Sequence, residues 1–265
     1  MDLSTPKIMG ILNLTPDSFY DGGQYQDIDN ALLRVERMIE EGLNILDIGA
    51  QSTRPGADFL TAEEEIKRLS NVLPEIVKAF PDLPISIDTF YSDVAKATYD
   101  MGAHMINDVS GGNLDDQMFS TIGRLKIPYV LMHMQGTPKT MQKNPTYKHL
   151  VADILEDLGK KTQILVDHGG HDVIVDPGFG FGKTLAQNFQ LLKQLDDFKI
   201  ISVPVLVGVS RKSMINKAIG TKPENALNGT SALHAWALER GANILRVHDV
   251  KEAKQVITLH QHLSA

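Results

Sequence analysis

Residues 85–107 read ISIDTFYSDVAKATYDMGAHMIN. An apolar run of strand length, 85–87, ends in Asp88. A helical pattern follows over 92–101 and stops at Gly102, and a second apolar run, 104–106, ends in Asn107. Strand, helix, glycine and strand in this order make one unit of a parallel sheet, because parallel strands need a long crossover and glycine ends a helix without steric strain. Worked outward, the unit repeats along the chain. Strands are predicted at 8–12, 44–48, 85–87, 104–106, 129–132, 173–175, 205–207 and 244–247. Helices are predicted at 28–41, 61–79, 92–101, 115–125, 148–167, 186–195, 225–240 and 252–262. The alternation over 265 residues comes to about 33 residues per unit, the size expected of a (β/α)8 TIM barrel.

The punctuation agrees. Gly42 and Gly241 stand between a helix and a strand as Gly102 does, Pro128 and Pro204 open strands, and Thr61 with Glu64 reads as a capping box. Glu63, Glu64 and Glu65 open the same helix, where the dipole favours negative charge and no function is needed. No linker or composition shift divides residues 1–265, so the expectation is a single-domain α/β barrel with its site at the C-terminal ends of the strands. A doubly wound open sheet fits less well, since eight units are many for an open sheet of this length.

Composition narrows the function. With 26 Lys+Arg against 33 Asp+Glu the net charge is −7, which argues against general nucleic-acid binding. The absence of Cys removes thiol catalysis, zinc–thiolate sites and iron–sulfur clusters. The N-terminal residues have no signal-peptide character and no stretch has the length of a membrane span, so a soluble, cytoplasmic chain is expected.

Almost every predicted strand ends in a polar residue: Asn13, Asp47, Asp88, Asn107, His133, Asp176, Ser210 with Arg211 and Lys212, then Arg246 with His248. One such Asp is more simply a helix cap, but a set in register converges on the face where parallel barrels place their sites. Asp88, Asn107 and Asp176 suit a flat heterocycle with a donor-rich edge. Arg54, Arg211, Lys212, Arg246 and His248 place local cations on an acidic protein, which points to a small anion such as a phosphate. Three loops mix Gly and Pro with aromatic or charged groups: 15–23, 51–56 and 176–184. Gly182-Lys183-Thr184 mimics the end of a P-loop, but the glycine required five residues before Gly182 is Pro177.

At these segments the chain resembles the dihydropteroate synthase family. The similarity is carried by GILNLTPDSF (10–19), STRPG (52–56), DPGFGFGK (176–183), SRKS (210–213) and RVHD (246–249), in collinear order from about residue 7 to the last helix. The resemblance implies a (β/α)8 barrel. It also implies condensation of 6-hydroxymethyl-7,8-dihydropterin pyrophosphate with p-aminobenzoate to 7,8-dihydropteroate and pyrophosphate, in folate biosynthesis. By motif, Asp88, Asn107, Asp176 and Lys212 would form the pterin pocket, walled by Met132, Phe181 and Gly208. Asn13, Arg54, Arg246 and His248 would hold the pyrophosphate, with Asn13 also contacting Mg²⁺. Thr53, Pro55, Phe181, Lys212 and Ser213 would receive p-aminobenzoate, as they do in the sulfonamide-targeted family. A homodimer through helices near the C-terminal end is implied as well.

That chemistry suits the inventory. Mg²⁺ and the cations would stabilise charge on the departing pyrophosphate, and Asp88 the methylene cation left behind, by a dissociative, SN1-like route with no covalent enzyme intermediate. Asp88, Lys212, Arg54, Asp17 and Phe19 are the candidates for the chemistry itself. Asp17 and Phe19 would act from loops 15–25 and 51–60 closing over the cation. Two departures stand out: Ile48-Gly49-Ala50-Gln51 where the family often has Gly-Gly-Glu, and Tyr20 for a frequent Ser. A corrinoid-type methyltetrahydrofolate methyltransferase and a non-catalytic pterin-binding paralogue are the alternatives. Blander readings apply elsewhere: His168-Gly169-Gly170-His171 as a solvated turn, Trp236 as packing, and the ten Met as mostly core. Asp47 and His133 stay open between ligand contact and support.

Overall fold

The strands of the computed structural model are β1 (Lys7–Asn13), β2 (Ile45–Gly49), β3 (Ile85–Asp88), β4 (Met105–Asp108), β5 (Tyr129–Met132), β6 (Val173–Asp176), β7 (Leu206–Val207) and β8 (Ile244–Val247). All pairings are parallel, and the sheet order β6-β5-β4-β3-β2-β1-β8-β7 follows the chain around a ring. A single bridge, Val175 to Val205, joins β6 to the residue before β7 and closes the barrel. The structure describes residues 2–14, 24–51, 59–136, 141 and 145–263.

The helices are α1 (Gln24–Glu40), α2 (Ala62–Ala79), α3 (Ser92–Asp100), α4 (Met118–Leu125), α5 (Leu150–Asp167), α6 (Leu185–Lys193), α7 (Ser213–Ile219), α8 (Leu227–Glu239) and α9 (Val250–Leu263). The expected barrel is present, with local differences. Asn44 and His104 fall just outside β2 and β4, because Asn44 Oδ1 and His104 Nδ1 take the N–H groups of Ile8 and Ile85 at the lower rim. Residue 115 precedes α4 by a turn, since the Asp115 carboxylate accepts from the N–H groups of Ser92 and Gln117. Helix α7 escapes the periodicity: seven residues are too few to show an amphipathic repeat, and Gly220 at φ +64° ends it.

Capping occurs where the sequence places it. Thr61 and Glu64 close both bonds of a capping box on α2. Gly42, Gly102 and Gly241 adopt φ of +103°, +102° and +93°. At Gly102 the N–H bonds Tyr99 O at 2.9 Å and the Ala103 N–H bonds Thr98 O at 2.9 Å, the paired bonds of a Schellman stop. Gly169 makes the same turn after α5, as the solvated-turn reading of 168–171 expects.

Alternation along the strands sorts the side chains. Outward residues such as Ile8, Leu46, Ile87, Ile106, Leu131, Val175 and Leu245 pack with the helices in the main core. Inward, Met9, Ile45, Met105, Val130, Ile174, Leu206 and Ile244 form a separate cluster, one residue from every strand but β3, where Ser86 is also buried. Two residues further along, the interior column turns to Asp47, Asp88, Asn107, Met132, Asp176, Gly208 and Arg246. Of the polar residues at the strand ends, Asp47, Asp88, Asn107, Asp176 and Arg246 therefore form the second interior layer, stacked on an apolar plug.

Two glycines in helices test the packing. A methyl group at Gly123 in α4 would meet His168 O at 1.9 Å, whereas one at Gly159 in α5 meets nothing within 4 Å. Gly123→Ala should lower stability by about 1–3 kcal/mol through overpacking, and Gly159→Ala should raise it by about 0.5–1 kcal/mol through helix propensity. Urea unfolding of the two variants checks the opposite signs.

Candidate active site

The interior layer is held together by one guanidinium. Arg246 Nε donates to Asp47 Oδ2 at 2.7 Å and its NH2 donates to Asp88 Oδ2 at 2.7 Å. Asn107 Nδ2 donates to the same Asp47 oxygen at 3.0 Å. Asp47 is fully buried and neither caps a helix nor faces the open mouth; it orients Arg246 and Asn107 from beneath. Burial pushes the Asp88 carboxyl up, with Asp47 and Asp108 adding to the rise and Arg246 opposing it. Asp47 and Asp88 each keep one buried oxygen, Oδ1, without a hydrogen-bond partner among the described residues.

The opposite wall comes from β6 and β7. Asp176 Oδ1 accepts from the Gly178 N–H at 2.7 Å. A methyl group at Gly208 would lie 3.8 Å from Lys212 Nζ, 3.8 Å from Arg246 Cβ and 4.0 Å from Asp176 Oδ2, so the missing side chain leaves a slot among these groups. Lys212 Nζ donates to Phe179 O and sits 4.8 Å from the centre of the Phe181 ring. Burial draws Lys212 down to about 8, with Asp176 opposing. Met132 and Phe181 pack in a small apolar cluster with Phe90, Val109, Met134 and Met141. Ser213 is exposed at the first turn of α7.

Asn13 ends β1, exposed, in a register row with Gly49, Asp88 and Asn107. His248 lies past β8, with Nδ1 3.2 Å from Ser210 Oγ. Of the proposed set, Asn13, Asp88, Asn107, Met132, Asp176, Phe181, Gly208, Lys212, Ser213, Arg246 and His248 sit at the C-terminal end of the barrel. Asp17, Phe19, Thr53, Arg54 and Pro55 lie outside the described residues, as does most of the proposed lid.

Three readings need correction, and a fourth residue takes a place the sequence did not assign. Arg211 is no free cation: its guanidinium bonds both Asp249 oxygens at 2.8 Å and the carbonyls of Pro223 and Glu224, tying two loops together. Trp236 is not packed in the core; it is 47% exposed, 5.2 Å from the Arg240 guanidinium, because its face of α8 points outward. Glu65 is not merely a helix-opening acid. It is fully buried, with Oε2 accepting from Gln51 Nε2 at 3.0 Å, and burial raises it to about 7. Gln51, the residue that departs from the family pattern, also exchanges bonds with the Leu60 backbone through both ends of its amide. Lys183, set aside with the P-loop reading, is 3% exposed and bonded to His133 Nδ1 at 3.0 Å. No sequence signal separated Glu65 from its neighbours; the departure at Gln51 was the nearest pointer.

In the comparisons, residues 9–248 match the family of pterin binding enzymes. A dihydropteroate synthase of Haemophilus influenzae is 42% identical over 263 residues, 98% of this chain and 95% of that protein. The crystal structure of Yersinia pestis dihydropteroate synthase with a sulfonamide drug superposes with a TM-score of 0.93 at 40% identity, covering 100% of this chain and 97% of that one. The Xanthomonas albilineans dihydropteroate synthase with 4-aminobenzoic acid superposes at 0.92, also 40% identical, over 100% and 95%.

Glu65 titrates at about 7 in the folded chain against an ordinary 4.5. Between these values the folded state keeps a proton that the unfolded chain has released, so stability falls as pH rises through the window. Glu65→Gln has no proton to lose. It should match the parent below pH 4.5 and exceed it above pH 7 by roughly 3 kcal/mol, read by urea unfolding across pH.

Proposed function

The chain belongs to the pterin-binding enzyme family as a dihydropteroate synthase, a transferase of folate biosynthesis, and we propose how its own residues carry the reaction. The reading rests on one observation above all: Asp176, Lys212 and Arg246 surround the slot left at Gly208, Arg246 bonds Asp88 and, through Asp47, joins Asn107, and the His248 imidazole, drawn down to about 4 by burial, stands past β8.

Asp176 and Asn107 accept or exchange hydrogen bonds with the amino-pyrimidine edge of the pterin, and Asp88 accepts from the reduced ring. The unpartnered Asp88 Oδ1 favours a ligand N–H there, since a buried acceptor left unmade costs about 1–3 kcal/mol. Met132 and Phe181 wall the ring, and Gly208 lets it approach the backbone. The diphosphate lies toward Asn13, Arg246, His248 and Arg54. The Ser210 contact on Nδ1 leaves Nε2 of His248 for the leaving group. The Asn13 amide oxygen, a hard donor on the pyrophosphate side, would hold Mg²⁺. Bound there, Mg²⁺ supplies neutralising charge to the diphosphate. Phe181, Lys212 and Ser213, with Thr53 and Pro55, receive p-aminobenzoate.

The C–O bond to the diphosphate breaks with its electron pair leaving on oxygen. Arg246, held in place by Asp47, meets that charge without reorganising. Asp88 faces the methylene carbon as it becomes cationic. The arylamine nitrogen then forms the C–N bond and releases its proton to solvent. By the family resemblance Asp17 and Phe19 would keep water from the cation.

Mg²⁺-dependent formation of dihydropteroate and pyrophosphate tests the assignment. Without p-aminobenzoate, ¹⁸O in the bridging position of the pterin pyrophosphate should scramble to non-bridging positions, and absence of scrambling would remove the dissociative route. Asp88→Asn should lower kcat about 100-fold or more while the fold persists by circular dichroism.

The assembly we propose is a homodimer through the C-terminal helices. Trp236, Leu259 and Leu263 are 47%, 66% and 87% exposed on α8 and α9, adjacent helices whose outward apolar groups have no cover in one chain. Sedimentation should give twice the chain mass, and Trp236→Glu should shift it toward the monomer. A parent protein that sediments as a monomer at micromolar concentration removes the proposal.

A further inference from the structure

The loop from Asp176 to Lys183 folds around ammonium groups. Its glycines Gly178, Gly180 and Gly182 take φ of +75°, +84° and +64°. The turns point the carbonyls of Gly178, Phe179, Phe181 and Gly182 at side chains, Gly178 O also taking the Phe181 N–H at 3.1 Å. Lys183 Nζ donates to Gly178 O at 2.9 Å and to Phe181 O at 3.0 Å, and contacts His133 Nδ1 at 3.0 Å. Lys212 takes Phe179 O from the other side, and Tyr147 Oη donates to Gly182 O at 2.7 Å. Three close acceptors match the three N–H groups of an ammonium, which leaves none for a ligand. Gly178 packs so tightly that a methyl group there would meet His133 O at 1.9 Å and Lys183 Nζ at 3.2 Å.

We propose that Lys183 is a positioning residue for the arylamine site. Its buried ammonium, with His133 as acceptor, fixes the carbonyls of Gly178 and Phe181 and thereby sets the Phe181 ring against Lys212. Burying a cation costs several kcal/mol unless every proton is paired, so the loop has a narrow choice of shapes while the charge stays inside. Remove the charge and the carbonyls of Gly178 and Phe181, with His133, lose their common partner, which loosens the turns at Gly178 and Gly180. The near edge of that change is Phe181, which packs with Met132 and Phe90 on the site side. The consequence falls on p-aminobenzoate more than on the diphosphate, whose proposed residues come from β1, β8, the residue after β8 and the segment after β2. His133, left open on sequence grounds, belongs to this support: burial and Lys183 hold it down to about 2, as a neutral acceptor.

The inference rests on the synthase reading, and the test separates the two. Lys183→Met keeps the stem and removes the charge; His133→Asn keeps an acceptor near the Nδ1 position; His133→Leu removes it. With pterin pyrophosphate saturating, Lys183→Met should raise the KM for p-aminobenzoate about tenfold or more while kcat changes by less than about threefold. His133→Leu should move KM the same way, and His133→Asn should stay within about twofold of the parent. Hydrogen exchange at the Gly180 and Phe181 amides should accelerate in Lys183→Met and His133→Leu only. An unchanged KM with unchanged exchange overturns the proposal, as does a loss confined to kcat. If Lys183→Met fails to fold, the contrast between the two His133 variants decides. A parent chain without p-aminobenzoate-dependent turnover sinks the synthase reading instead, and the exchange contrast then judges the loop alone.

Discussion

Met9, Ile45, Met105, Val130, Ile174, Leu206 and Ile244 fill the lower barrel and exclude water from beneath the layer above. Everything at the mouth depends on that plug. A carboxylate placed on it loses hydration on one side and must find partners within the barrel. Arg246 answers this by bonding Asp47 and Asp88 with one planar fork, and Asn107 takes the Asp47 oxygen as well. The groups that meet substrate are thus held by the groups that make their burial tolerable, which is why the arrangement is rigid before any ligand arrives.

The cations divide their work by where the backbone aims them. Arg211 and Lys212 are neighbours, yet Arg211, at φ +54°, turns outward to Asp249 while Lys212 turns inward to Phe179 O and the Phe181 ring. Lys183 lies under the same loop and reaches no open surface. A net charge of −7 therefore does not tell where the cations point, and only the inward share of the Lys and Arg residues bears on an anionic substrate.

Much of the site was legible because a parallel barrel makes it so. Asp88, Asn107, Asp176 and Arg246 each end an apolar run, and period-two alternation carries them inward together. Asp47 followed the same pattern but its task did not, since support and ligand contact use the same residue type. Glu65 read like Glu63 and Glu64; its burial comes from α2 docking against the end of β2, where Gln51 waits with an amide. Trp236 reads as packing because Leu233 and Leu238 stand near it in the sequence, and α8 turns that face outward. Lys183 stands in the sequence only as part of a false P-loop ending, and the loop closes over it.

Strand and helix content, the capping box at Thr61, the glycine stops and the barrel itself were determined by the sequence, because those signals act over a few residues and repeat with a fixed period. Partnerships were decided only in the tertiary structure. Arg246 meets Asp47 across 199 residues of chain, and Lys183 meets His133 across 50. No local rule can announce such pairs. They exist because closing the ring brings distant strand ends within hydrogen-bond reach in a place where an unpaired charge is too costly to remain.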